Sequence, residues 1–431
     1  MNCLFPSDSK PSGRTCKQWL AIIALLVIGC WLSVIKVALA QDKKPEKEIS
    51  VSIESLKYSR SEDKDIIDID ASTKNLPAGT ILNCRVNSMV FMADLKDFAE
   101  QEVIAYLTEV SEGGKATAKI DKFPWLLPPS LYIITIELAA QQKKKVASLL
   151  PKEKLGKPLK QEEIIIGDFK DSPKDNYDNL IEIQKVWSYY GNTVNALTEF
   201  CELYNKKAFS GKEKRVSDWH NQIKRDIKVF MDKAGTVTRE NFPGLYRLSY
   251  LLISGVGMSL LSQEDGIIQT MTGATGRFYD PTDPAPTRPI LKTDFKIEIE
   301  KGRQLAVKES IFNMMLMLNY LTKDMALTYQ KIKEQSNRQS IWSKAAPRWT
   351  DCLKEFDRYY KEIRKDYETE LLKPMFEDVA TAQEHFQNML DTYSSLVAAK
   401  EGQDTLQKEI DTRQEALNDL FKKAQEELLR N

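Results

Sequence analysis

The chain has 431 residues, of which 42% are hydrophobic, and its 62 basic side chains balance its 62 acidic ones. A nearly neutral chain has no overall field that attracts a polyanion such as a nucleic acid, so we expect no nucleic-acid partner. The length is sufficient for two domains, or for one domain beside an extended helical bundle.

The first 40 residues have the pattern of a secretory signal. Three basic residues precede an apolar run over residues 19–35, and Ala38-Leu39-Ala40 follows that run. The basic residues are Lys10, Arg14 and Lys17. A basic head, an apolar core and a small-x-small exit are the parts of a bacterial-type signal. We therefore expect the chain after Gln41 to work outside the cytoplasm, in the periplasm or the cell envelope.

This signal has three alternative outcomes. Cleavage after Ala40 would release a soluble protein. Retention would leave a membrane anchor, because the apolar run approaches the about 20 residues that cross a bilayer, although Lys36 shortens it. Val27-Ile28-Gly29-Cys30 resembles the lipobox of bacterial lipoproteins, in which Cys30 would be lipidated, but the residues after it are apolar. We favour cleavage and keep a tether through the N-terminus as the alternative.

Cysteine and histidine are too few and too scattered for a metal or redox centre. Only Cys84, Cys201 and Cys352 follow the signal, without any Cys-x-x-Cys spacing, and His220 and His385 are the only histidines. Zinc ribbons, thioredoxin-like chemistry and c-type haem attachment need spacings that are absent here. We expect no metal and no cofactor, and we interpret both histidines as partner-satisfied residues between helices.

Residues 48–169 show a short β-strand pattern with frequent turns. Ile49, Val51 and Ile53 alternate with polar neighbours, as do Ile67 and Ile69. Similar runs follow at 80–86, 103–110, 116–120, 130–138 and 162–166. About seven strands with turn signals every 8–12 residues predict an antiparallel β-sandwich.

Two phrases in this region carry a family resemblance. Leu76-Pro77-Ala78-Gly79-Thr80 and Leu127-Pro128-Pro129-Ser130-Leu131-Tyr132 resemble the edges of Ig-like or fibronectin-III-like envelope modules. Those modules often carry a Pro-Gly-x-Tyr turn before a strand, and Ser130 replaces the glycine here. The resemblance implies an Ig-like fold and no particular function, because such folds carry many functions.

Residues 172–431 follow the period of helices. The strongest seam steps by three and four residues through Leu180, Ile183, Trp187, Tyr190, Val194, Leu197, Cys201 and Tyr204. Further seams follow to the end of the chain and predict an antiparallel bundle of long helices. The fold class is therefore a multidomain α and β protein, with a β-sandwich followed by a helical bundle. An oxidising compartment would also permit a disulfide between the seam residues Cys201 and Cys352.

Two segments interrupt this plan. The first, 141–160, contains seven lysines, among them Lys143, Lys144 and Lys145, and a single acid, Glu153. It is either a solvated strand connection, which we favour, or a polybasic surface for an anionic membrane or cell-wall polymer.

The second segment, 273–302, contains four prolines within nine residues and cannot be helical there. Its candidate contacts for a ligand or partner are Arg277, Tyr279, Asp280, Asp283 and Arg288. Long ordered loops are often functional, but a plain spacer is the simpler interpretation. The alternation of Phe295, Ile297 and Ile299 predicts a strand or hairpin after the prolines.

No catalytic motif is recognisable. Gly-x-Ser-x-Gly is absent, and the glycine pair in 254–257 lacks the lysine of a phosphate-binding loop. The first hypothesis is an exported, non-enzymatic scaffold or binding protein whose partner is a protein or a cell-envelope polymer. The alternatives are an envelope hydrolase that uses carboxylates near the 273–302 loop, and an extracytoplasmic sensor or adaptor of a membrane complex.

Overall fold

The computed structural model describes residues 48–61, 64–92, 97–123, 127–167, 169–206, 217–222, 224–226, 228–229, 232, 246–272 and 295–430. Antiparallel sheets form its N-terminal part and long helices form its C-terminal part, so the predicted fold class is confirmed. The signal segment with Cys30 and the proline-rich residues 273–294 lie outside the described residues. Among the helices that are described, none is long and apolar enough to cross a membrane.

The N-terminal part contains strands at all the predicted positions. They are β1 (Ser50–Ser61), β2 (Lys64–Lys74), β3 (Ile81–Met92), β4 (Asp97–Glu109), β5 (Lys115–Ile120), β6 (Ser130–Leu138) and β7 (Pro158–Ile166). One sheet has the order β1-β2-β5 and the other has the order β4-β3-β6-β7, with antiparallel neighbours throughout.

The two sheets enclose a core made by alternate residues of the strands. Ile67 on β2, Leu82 and Val86 on β3, and Ile134 and Leu138 on β6 have no exposed surface. Because successive side chains of a strand point to opposite faces, this alternation is what the period of two in the sequence predicted.

The C-terminal part consists of long helices. They are α2 (Ser172–Asn205), α3 (Arg247–Thr272), α4 (Phe295–Ile332), α5 (Arg338–Tyr367), α6 (Lys373–Ala398) and α7 (Gln403–Leu429); α1 (Lys144–Ala147) is a short helix between β6 and β7. Residues 217–222 and 224–226 are also helical. All eight residues of the strongest predicted seam are buried in α2.

The predicted strand at Phe295, Ile297 and Ile299 is wrong, because α4 begins at Phe295. Phe295 is buried while Ile297 is 53% exposed, and burial continues at Gly302 and Ala306. These positions are spaced by seven and four residues, so the helical period of the longer run outweighs a three-residue alternation. At Gly302 the helices come so close that an added Cβ would lie 2.1 Å from the Trp187 ring.

The sandwich and the bundle each have a hydrophobic core, and residues at one end of the sandwich join the core of the bundle. Leu131 and Phe169 belong to the core of the bundle. The rings of Phe98 on β4, Phe312 on α4 and Phe421 on α7 stack on one another, with Phe312 and Phe421 centred 5.2 Å apart. This aromatic cluster fixes the sandwich on the bundle.

The disulfide that the sequence allowed between Cys201 and Cys352 is not formed. Cys84, Cys201 and Cys352 are all buried as thiols. The thiol of Cys352 instead donates a hydrogen bond to the carbonyl oxygen of Phe169 at 3.2 Å, which places it at the junction of sandwich and bundle. As the sequence pattern suggested, both seam cysteines pack as small apolar side chains.

Candidate functional site

The sandwich has two ends with different surroundings. We call the end that meets the bundle the proximal end; it includes Leu131 at the start of β6 and Ile165 at the end of β7. The opposite end, here called the distal end, consists of residues 75–80, 110–114 and 139–157, which connect the strands there. Of the candidate residues named from sequence, Lys143, Lys144 and Lys145 lie at the distal end. Arg277, Tyr279, Asp280, Asp283 and Arg288 lie outside the described residues.

The 139–157 connection is held in place at several points. The Gln142 side chain accepts a hydrogen bond from the N–H of Ile81 at 2.9 Å and donates to the carbonyl oxygens of Ile81 at 2.7 Å and Ala139 at 2.9 Å. Val146 on α1 and Leu150 are buried in the sandwich core. The 139–157 connection is therefore ordered and is not only a solvated crossing between β6 and β7. We call it the lysine platform.

Its neighbours at the distal end are ordered in the same way. Gly79, in the left-handed region with φ +85°, donates its N–H to the carbonyl oxygen of Val110 at 2.8 Å. The N–H of Thr73 donates to Gly114 O at 2.7 Å. Backbone hydrogen bonds thus join the two turns next to the lysine platform, at residues 75–80 and 110–114.

Lysines dominate the charge of the distal end. They are Lys74, Lys115, Lys143, Lys144, Lys145, Lys152, Lys154 and Lys157, against the acids Glu48, Glu109, Glu112 and Glu153. Lys143 lies 2.5 Å from Glu109 as an exposed ion pair. Lys144 and Lys145 are exposed and form no ion pair among the described residues. Between them and Lys152, the Leu149 side chain is 66% exposed. The 139–157 connection therefore carries exposed cations and an exposed apolar side chain within a short stretch of sequence.

The proximal end contains a charged cluster of a different kind. The buried Asp65 carboxylate accepts hydrogen bonds from Arg60 Nε at 2.6 Å, Tyr58 Oη at 2.7 Å and the Leu127 N–H at 2.5 Å. Burial opposes the ionisation of Asp65, but these donors outweigh it and hold its pKa below the usual range. Burial and the Asp65 carboxylate raise the pKa of Tyr58.

A cleft of about 410 Å³ separates this cluster from the bundle. Asp324 lies 2.8 Å from Arg348 Nη2 and accepts a hydrogen bond from Trp349 Nε1, also at 2.8 Å. The Arg348 guanidinium stands over the Trp349 ring and donates to Thr328 at 3.0 Å. Because the charges on both walls are already paired within their own domain, the cleft offers little net charge to a ligand. The Asp65 cluster was not predicted from the sequence, since no motif marks it.

Of the two histidines, His220 lies against a buried acid. His220 Nδ1 lies 2.5 Å from the buried Glu264 carboxylate. Burial lowers the pKa of His220 and raises the pKa of Glu264 to about 7. His385 is half-buried on α6. Within the described ranges, no group of three His, Cys, Asp or Glu side chains is arranged to hold a metal ion.

Comparisons with known proteins add one distant likeness. No protein-family model matches the chain, and no curated protein matches it. A solved β-glucosidase from Kluyveromyces marxianus aligns with 28% of this chain and 14% of its own, at 12% identity and a TM-score of 0.18. The chain therefore spans about a seventh of that enzyme, and so weak a likeness carries no argument about fold or activity.

Proposed function

We propose that this protein is an exported, non-enzymatic binding protein of the cell envelope whose sandwich contacts an anionic envelope polymer through its distal end. The observation that carries the proposal is the ordered platform that carries the exposed Lys143, Lys144 and Lys145, of which Lys143 is paired with Glu109, together with the exposed Leu149. A polymer with repeated negative charges engages several lysines at once, so weak single contacts add together.

We further propose that the sandwich is an Ig-like module of the fibronectin-III kind. Its sheet orders, β1-β2-β5 and β4-β3-β6-β7, support this. So does the hydroxyl of Tyr132 near the start of β6, which donates to the Pro128 carbonyl oxygen at 2.9 Å, as in the tyrosine corner of such modules. In this family the loops at one end of the sandwich often recognise partners.

Export is part of the same proposal, and the basic, apolar and small-residue pattern of residues 1–40 supports it. Intact mass and cell fractionation in a bacterial host test it. We expect a chain that starts at Gln41 in the soluble periplasmic fraction. A mass that begins at a lipidated Cys30, or that keeps the signal in the membrane fraction, would replace free release by tethering; a cytoplasmic full-length chain would contradict export.

Binding is tested with the full mature chain and a soluble polyglycerol phosphate polymer in a titration at several salt concentrations. We expect binding that weakens as salt rises, because exposed charges are screened. The triple variant Lys143→Gln, Lys144→Gln, Lys145→Gln should lose most of the affinity. A matched control variant removes the same charge from exposed sites of the bundle and should keep the affinity for the polymer. Its substitutions are Lys400→Gln, Lys408→Gln and Lys422→Gln. Equal losses in both variants would show that net charge alone drives the binding.

A further inference from the structure

Besides the cleft at the proximal end, a second concave surface lies in the helical bundle. It is separate from the lysine platform. The start of α3, the N-terminal part of α4 and the C-terminal end of α7 enclose a pocket of about 550 Å³, a volume typical of small-molecule sites. Its apolar lining consists of Leu248, Leu252, Leu305, Leu428 and Leu429. Leu428 is buried, whereas the other four are half-buried and leave part of their surface open to the pocket.

The half-buried leucines leave apolar surface inside this concavity. Apolar surface that is gathered in a concavity is a common sign of a ligand site, in contrast to scattered exposed side chains. A hydrocarbon chain would remove this surface from water.

Cations outnumber acids in the same pocket. Lys301, Lys308 and Arg430 line it, together with the single acid Glu298. Lys308 Nζ donates to the carbonyl oxygens of Glu427 at 3.1 Å and Arg430 at 2.9 Å, so it is fixed against the end of α7. Lys301 is exposed and lies two turns earlier on α4, about 10 Å along the helix axis. It is therefore the cation best placed to meet a ligand from solvent.

We propose that this pocket binds an amphipathic anion, namely a hydrocarbon chain that ends in a carboxylate or a phosphate monoester. The leucines accommodate the chain, and Lys301 receives the acidic head through charge-assisted hydrogen bonds, because Arg430 is already paired with the Glu427 carboxylate at 2.5 Å. A neutral hydroxyl head forms no ion pair with Lys301, and a cationic head is repelled by it.

Calorimetric titration of the full mature chain with three probes of equal chain length tests this proposal. The probes are palmitate, hexadecyl phosphate and hexadecanol, each below its aggregation concentration. We expect both acids to bind, and hexadecanol to bind with an affinity lower by about tenfold or more. The stronger of the two acids identifies the head group, a carboxylate or a phosphate, and either order supports the proposal.

Variants locate the site. Lys301→Glu should weaken both acids by about tenfold or more, while Lys344→Glu, an exposed lysine of α5 outside the pocket, should leave them unchanged. Leu252→Gln should weaken all three probes, and its control Leu371→Gln, at a residue 63% exposed elsewhere, should not. Failure of the folded chain to bind either acid would overturn the proposal. So would hexadecanol binding equal to that of the acids and unaffected by Lys301→Glu.

Discussion

The two ends of the sandwich use charge in opposite ways. At the proximal end, Asp65 and Arg60 are paired and hydrogen-bonded next to the bundle. At the distal end, Lys144 and Lys145 extend into solvent from an ordered platform. Charges that are satisfied within the protein stabilise its own structure, whereas exposed charges of one sign remain available to a partner. The proximal end therefore serves attachment to the bundle, and the exposed lysines of the distal end are consistent with the recognition that we propose for it.

The largest expected effect comes from breaking the attachment. Phe312 is 3% exposed and stacks between Phe98 of the sandwich and Phe421 of the bundle. Phe312→Ala should lower the free energy of unfolding by about 3–5 kcal/mol, because it leaves a cavity in the core of the bundle, where Phe98 of the sandwich packs. Chemical denaturation measures the loss, with Phe312→Leu as a milder control. A loss below about 1 kcal/mol would mean that the aromatic cluster does not hold the two regions together.

Glu309, a buried acid of the bundle, provides a contrast to Asp65. Its surroundings oppose ionisation, whereas those of Asp65 favour it. Glu309 on α4 accepts hydrogen bonds from the N–H groups of Leu248 at 2.7 Å and Ser249 at 2.9 Å, at the start of α3. Burial nevertheless raises its pKa to about 7. The stability that its protonation provides is present below the ordinary value of 4.5 and is lost as the pH rises through 7.

Glu309→Gln keeps an acceptor for one of these two N–H groups and removes the titration, and the cost of the lost acceptor does not depend on pH. The fall in unfolding free energy between acidic and neutral pH should shrink by roughly 3 kcal/mol in this variant, at about 1.4 kcal/mol per pKa unit. Denaturant titrations across this pH range measure the difference. Glu264, whose pKa is also about 7, should contribute to the dependence that remains. Identical pH profiles for the two proteins would contradict the assignment to Glu309.

Asp65 should behave in the opposite sense. Its lowered pKa provides stability that is present above the ordinary value of 3.8 and is lost as the pH falls below it. At neutral pH, Asp65→Asn should cost about 2 kcal/mol, since hydrogen bonds to a buried charge are replaced by weaker ones. Asp378→Asn is the matched control, because its partner Lys423 is 53% exposed and such pairs contribute less than about 1 kcal/mol. Equal costs at the two sites would remove the distinction between buried and exposed pairs.

The smallest effect on stability is expected at the distal end. Lys144→Gln with Lys145→Gln should change the free energy of unfolding by less than about 0.5 kcal/mol, because both side chains are exposed. Thermal and chemical unfolding check this. A large loss would show that these lysines serve the fold, and would leave no reason to assign them to recognition.

Much of the fold was predictable because its signals are local. The period of two in residues 49–53 and 65–70, and the seam from Leu180 to Tyr204, report directly which side chains are buried. The strand predicted at Phe295 failed because three alternating residues fit both periods, and the longer helical run decides. The lysine platform was visible as composition, but its order depends on Gln142, Val146 and Leu150. The Asp65 cluster joins residues 67 positions apart, between Arg60 and Leu127, and no local pattern encodes such a contact.

The most direct test of the recognition surface is site-resolved lysine acylation of the mature chain, with and without the polyglycerol phosphate polymer. We expect the polymer to protect Lys143, Lys144, Lys145 and Lys152, while Lys400, Lys408 and Lys422 on the bundle react as before. Protection of the bundle lysines, or equal protection of every exposed lysine, would contradict the assignment of recognition to the distal end of the sandwich.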